Sequence, residues 1–137
     1  MGTLREVVIP DGTDRIGSYW FWGSEVESVT IPSSVKKIGA EAFYSCRQLK
    51  KLVLRKATRR AVASAIGALT PQSDGSALRL ICTRAFYGCE SLAAVDFPDG
   101  LEEMGVDAFC ESGLESVTTP LSTRIIHQGA FCRCQNL

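Results

Sequence analysis

What the chain lacks narrows its possible work before any motif is sought. Its 15 Lys and Arg balance its 15 Asp and Glu, so the formal net charge is zero. Bulk electrostatics therefore gives no pull toward nucleic acid or an anionic membrane. There is one histidine, His127, and no motif sets a nucleophile or an orienting acid beside it. No G-x-G-x-x-G, G-x-S-x-G or phosphate-binding loop occurs. Cys132-Arg-Cys134 is not a zinc spacing, and no second C-x-x-C or H-x-x-H pair exists. An enzyme, a metal and a cofactor are thus not expected. No stretch approaches the ~20 apolar residues of a membrane helix. The opening MGTLREVVIPDG has neither the basic nor the apolar segment of a secretory signal. Glu6 stands where a myristoylation site wants Ser or Thr.

What the chain has is a beat. Phe21, Phe43, Phe86, Phe109 and Phe131 recur at gaps of 22, 43, 23 and 22 residues. The long gap is one period plus an insertion of about 20 residues. Each Phe follows an aliphatic residue by five positions: Ile16, Ile38, Ile81, Met104, Ile126. Ala42, Ala85, Ala108 and Ala130 sit one before it, and Pro10, Pro32, Pro98 and Pro120 eleven before. A period in the low twenties predicts a solenoid, an extended surface with no built-in reaction chamber. Within one unit, Val29 and Ile31 alternate with Ser28 and Thr30, the pattern of a short half-buried strand. Pro32 ends that strand and Gly39 permits a corner. The segment AEAFYSC reads as a helical turn or tight loop that drops Phe43 and Cys46 inside. Stacked coils should line up a spine of Phe rings. They should also pair the strands Val7/Ile9, Val29/Ile31, Leu52/Leu54, Val95/Phe97 and Val117/Thr119.

The pattern L-x-x-V-x-I-P-x-x-V-x-x-I-G-x-x-A-F-x-x-C resembles the BspA-like, or Treponema pallidum type, leucine-rich repeats. EVESVTIPSSVKKIGAEAFYSC and SLAAVDFPDGLEEMGVDAFCES both carry it. The resemblance implies a right-handed leucine-rich repeat superhelix of about five 22–23-residue coils with a short-strand ladder. It spans residues 1–137 as one domain and implies membership of a longer array. It also implies a protein partner. Many members are surface proteins that adhere to extracellular-matrix proteins, while others sit inside cells as candidate scaffolds. A longer parent would thus be secreted or surface-bound, and a complete chain of this length cytoplasmic.

Three units depart from the pattern. Residues 56–75 interrupt the third unit, and Ala61, Val62, Ala65, Ile66 and Leu69 recur at helical spacing. A helix is predicted near residues 57–69, bulging from the stack. The rival is one eroded coil, but Gln72 and Asp74 would then occupy its strand core. The insertion is either a binding element or a tolerated excursion. In the first unit Trp20 replaces the alanine between Tyr19 and Phe21-Trp22. A methyl-sized position has no room for an indole in mid-stack, so Trp20 reads as an end cap or as an aromatic recognition patch. In the last unit His127 takes the glycine position, and Thr119 and Thr123 take aliphatic ones. An open C-terminal end there would call for further repeats or a partner.

Cys46, Cys89 and Cys134 fall three after a Phe and read as small buried hydrophobes. Cys110 and Cys132 fall one after a Phe on adjacent coils, within ~5–6 Å and so within disulfide range in an oxidising compartment. Cys82 replaces a corner glycine. The charges are segregated. Arg47, Lys50, Lys51, Arg55, Lys56, Arg59 and Arg60 form a run without an acid. Glu90, Asp96, Asp99, Glu102, Glu103, Asp107, Glu111 and Glu115 form a run without a base. The basic run is the candidate partner-binding site, for a protein segment or an anionic glycan rather than nucleic acid. Head-to-tail pairing of copies is the other use for such polarity.

Overall fold

The computed structural model describes residues 5–56 and 78–137. The helix expected near 57–69 lies outside the described residues, as do Arg59 and Arg60. Among the described residues eight short strands form: β1 (Glu6–Val8), β2 (Arg15–Ile16), β3 (Ser28–Ile31), β4 (Lys37–Ile38), β5 (Lys51–Leu54), β6 (Leu80–Ile81), β7 (Glu103–Met104) and β8 (Ile125–Ile126). They make two parallel sheets, β1-β3-β5 and β2-β4-β6-β7-β8. Each coil gives one strand to a sheet and then passes to the next coil, so all pairing is parallel and in register.

Residue type explains the layout. In β3 and β5 the buried residues are Val29, Ile31, Leu52 and Leu54, alternating with more exposed neighbours. Register sets Val29 beside Val7 and Leu52. In the second sheet Ile16, Ile38, Ile81 and Met104 line up in the same way and are fully buried. The third side of each coil is a turn layer. There the backbone N–H of Phe21, Phe43, Phe86 and Phe109 donates to the carbonyl of Ala42, Ala85, Ala108 and Ala130 on the next coil, at 2.7–2.8 Å. Main-chain pairing thus continues without a strand, and buried peptide groups stay satisfied.

The Phe rings stack through the centre. Phe21–Phe43, Phe43–Phe86 and Phe86–Phe109 are parallel at 5.0 Å, and Phe109–Phe131 lies at 5.8 Å. Four such steps give a solenoid of about four turns, where the repeat count leads one to expect about five coils. The difference lies at the ends, where Phe21 and Phe131 are only partly buried. Phe43 lies directly on Phe86, and β4 pairs directly with β6. No coil therefore lies between these two in the described stack, and the residues of the rival eroded coil, like those of the helix, lie outside the described residues.

The tight-loop alternative holds for AEAFYSC, whose shape comes from two left-handed residues four apart. Glu41 has φ 54° and Ser45 φ 55°, and the pair recurs as Asp107 (55°) and Glu111 (59°). Each such non-glycine residue carries roughly 1–2 kcal/mol of steric cost, which the ladder on both sides offsets. At the corner, a Cβ on Gly39 would meet Ser18 N at 2.6 Å and Ile16 O at 2.8 Å on the preceding coil. Glycine is required there because two backbones pass too closely.

The first sheet is shorter than expected. Residues 95–97 and 117–119 form no strand. Thr119 stands where its neighbours place a buried apolar residue, and it is exposed, so on this side the last coil meets the core only through the partly buried Val117. Phe97 is buried but meets Phe109 edge-on at 5.5 Å. A recess of about 380 Å³ opens there, among Lys56, Val95, Phe97, Ser116 and Thr119.

Candidate functional site

The basic run lies on the outer side of the first sheet and at its rims. Leu52 and Leu54 point inward, so period two turns Lys51, Val53 and Arg55 outward. Register places Lys51 beside Ser28, and Ser28 beside Glu6. Lys50 enters β5 through its N–H, which donates to the Glu27 carbonyl at 2.8 Å. The Arg47 carbonyl accepts from Ser91 Oγ at 2.6 Å, which fixes the turn before the strand. Arg47, Lys50 and Lys51 therefore flank one end of β5. Arg55 and Lys56 flank the other, with Lys51 and Arg55 ~13 Å apart along the strand. All five are exposed.

Pairing separates the two charge runs. Lys56 meets Asp96 at 3.2 Å, Arg79 meets Glu102 at 3.8 Å and Arg84 meets Asp107 at 3.5 Å. Arg133 meets Glu111 at 3.7 Å, and His127 Nε2 lies 2.7 Å from Glu103 Oε2. Five of the eight acids thus have a cationic or imidazole partner on another coil. Among the described residues, Arg47, Lys50, Lys51 and Arg55 have no carboxylate partner. Most of the acidic run is engaged in pairs between coils, and of the basic run Arg47, Lys50, Lys51 and Arg55 face solvent without a carboxylate among the described residues.

The cysteines settle into two rows. Cys46, Cys89 and Cys134 each donate to the carbonyl of the Phe one coil earlier, Phe21, Phe43 and Phe109, at 3.0, 3.3 and 3.1 Å. Burial pushes the Cys46 thiol up to about 11, against a smaller opposing backbone hydrogen bond from Ser24. Burial raises Cys89 as well. Cys82 is also raised, by burial first; Lys37 opposes the rise and Glu103 adds to it. Raised thiols are poor nucleophiles. Cys110 and Cys132 are joined in a disulfide between adjacent coils, with Cα atoms 4.5 Å apart. Asp107, Cys110 and Cys132 bring potential metal ligands within 4.8 Å, but the disulfide occupies both sulfurs.

One row was not anticipated from the sequence. Trp22, Tyr44 and Tyr87 stack on the outside at 5.6 and 5.0 Å, nearly parallel. Their signal was present, since each falls one after a Phe, the position that Cys110 and Cys132 take on the later coils. Tyr87 donates its hydroxyl to the Glu111 carboxylate, and that hydrogen bond, ahead of burial, raises its pKa.

The coil, its two parallel sheets and its Phe spine define a leucine-rich repeat β-solenoid. The BspA type leucine rich repeat model matches residues 1–66 and 72–137 in six copies, and the chain belongs to that family. The fold is similar to the leucine-rich repeat protein of T. pallidum, with 32% identity and a TM-score of 0.79 over 99% of this chain. It is also similar to a leucine-rich repeat protein from Bacteroides ovatus, with 25% identity and a TM-score of 0.76 over 96% of this chain. A third likeness, to a leucine-rich repeat protein from Bacteroides capillosus, has 22% identity and a TM-score of 0.59 over 90% of this chain and 76% of that one. The chain spans 57% of the T. pallidum protein and 32% of the B. ovatus protein. No functionally curated protein matches it significantly. Among the described residues no helix is long and apolar enough to cross a membrane.

Proposed function

We propose that this chain is a non-enzymatic protein-binding module, an adhesion segment of a longer repeat array, and that it binds through the basic face around β5. The observation that carries this reading is the pairing asymmetry. Arg47, Lys50, Lys51 and Arg55 stand exposed without a carboxylate among the described residues, while most of the acidic run is braced. Unpaired cations on a rigid sheet complement an acidic protein segment or a sulfated chain of the extracellular matrix. Arg59, Arg60 and the 56–75 insertion follow β5 directly in sequence. The test uses an immobilised basement-membrane extract. The natural chain should bind it in a salt-sensitive way. A Lys50→Glu, Lys51→Glu, Arg55→Glu variant should bind at least ten-fold more weakly with a flatter salt dependence. Equal binding by the variant would remove this face from consideration.

A second reading, a self-assembling scaffold, is favoured by the open last coil. Leu121, Ile125 and Ile126 are exposed there, and β8, paired with β7 on one side, is an edge of its sheet among the described residues. Sedimentation velocity across a hundred-fold concentration range distinguishes the readings, since assembly through this end would increase the mean mass with concentration.

A further inference from the structure

The first coil carries a second site, independent of the basic face around β5. Arg15 of β2 and Lys37 of β4 are direct neighbours in register, both pointing outward. Two like charges side by side on parallel strands repel each other, which disfavours the pair unless an anion offsets it. Among the described residues neither has an ion-pair partner. Asp14 and Glu41, the carboxylates nearest in sequence on these coils, make no bridge to them. Beside the pair stands Trp20, 56% exposed. Its indole lies over Gly17, where any Cβ would run into the ring. The glycine therefore creates a seat for the ring, which remains more than half exposed. Arg15, Lys37, Trp20, Ser18 and the Gly17 and Gly39 backbones enclose a recess of about 240 Å³. That is below the ~300–1,000 Å³ of sites for drug-sized molecules, and it suits one ring-sized group.

An indole wall, two adjacent cations and a hydroxyl describe a definite ligand chemistry. The ring offers an apolar plane to the C–H face of a pyranose, the guanidinium and ammonium meet an anionic substituent, and Ser18 serves a sugar hydroxyl. The geometry points to a subsite for one acidic sugar residue, a hexuronate or a sulfated hexose, held between Trp20 and the Arg15–Lys37 pair. The two sources, a uronate-bearing chain and a sulfated one, share this chemistry.

The chain contains two tryptophans, Trp20 in the recess and Trp22 in the outer row of the same coil, so its emission reports on the first coil. The intact chain is titrated with a hyaluronan tetrasaccharide, a chondroitin sulfate tetrasaccharide, neutral maltotetraose and inorganic sulfate. A saturable emission change is expected with one or both acidic tetrasaccharides, and their relative strength tells uronate from sulfate. It should be at least ten-fold weaker in Arg15→Ser/Lys37→Ser, which leaves the core untouched, and unchanged in the Lys50→Glu, Lys51→Glu, Arg55→Glu variant. Trp20→Phe should weaken binding with Trp22 as the remaining reporter. The proposal is overturned by any of four results: no saturable change, an equal response to maltotetraose, an equal response to sulfate at the same concentration, or a response lost in the β5 variant but kept in the Arg15/Lys37 variant.

Discussion

Phe86 is fully buried between Phe43 and Phe109, with ring centroids 5.0 Å away on either side. Truncation to alanine removes the ring and leaves a cavity that two rigid neighbours cannot close. Phe86→Ala should therefore cost about 3–5 kcal/mol, read as a lowered denaturant midpoint. Phe21→Ala and Phe131→Ala should cost less, because these terminal rings are only partly buried. Equal losses at all five positions would mean that the spine is not what holds the coils. The buried thiols make a second prediction. The folded chain holds Cys46 near 11 against an ordinary 9.0, so burial favours the protonated form. Stability from this source is complete below about pH 9 and is lost as pH rises toward 11, by about 2 kcal/mol for Cys46. Thermal melts between pH 8 and 11 should show this fall, and Cys46→Ala should flatten it. The Phe, Ala and Cys rows were legible because one residue type repeats at each. The two left-handed turn positions were not, since Tyr19, Glu41, Arg84 and Asp107 share no chemistry that signals positive φ.

At the scale of elements, the strands of the first three coils were readable from the alternation in Val29/Ile31 and Leu52/Leu54. The next two do not form: Val95 and Phe97 pack inward without strand pairing, and the last was expected on phase alone. Thr119 lacks the apolar inward side chain that makes period two favourable, and the exposed residue fails to pin the strand. The last coil depends instead on β8, the partly buried Phe131 and the Cys110–Cys132 bridge. The bridge closes a 22-residue separation, which in the chain-entropy account is worth roughly 3 kcal/mol. Replacing both cysteines by serine should speed hydrogen exchange at Arg124, Ile125 and His127, whose amides donate to Glu102 and Met104 on the preceding coil. Exchange at Phe43 and Phe86 should stay nearly unchanged. A uniform acceleration along the chain would indicate one cooperative unit rather than a separately tethered coil.

Over the whole molecule, sequence order is spatial order, which made the charge segregation readable without coordinates. Its meaning was not. Two runs of opposite sign suggested a polarised rod. Pairing across coils engages most of the acidic run and leaves Arg47, Lys50, Lys51 and Arg55 as uncompensated cations among the described residues. Partner identity is set by side-chain placement on the outer faces, which the repeat period does not constrain. The two ends also differ, with an indole over the first coil and exposed Ile125 and Ile126 on the last.

The bridge between Cys110 and Cys132 has a mechanical meaning as well. A solenoid pulled from its two ends comes apart as a thread unwinds from a spool, one loop at a time. The loop closed by the bridge cannot pay out. Its 22-residue span withholds roughly 70–80 Å of contour length at about 3.3–3.6 Å per residue. A single oxidised molecule stretched between a bead and a surface should stop short of the reduced one by that distance. On a tethered surface protein, the local thiol redox state would then set how far the tether extends under load.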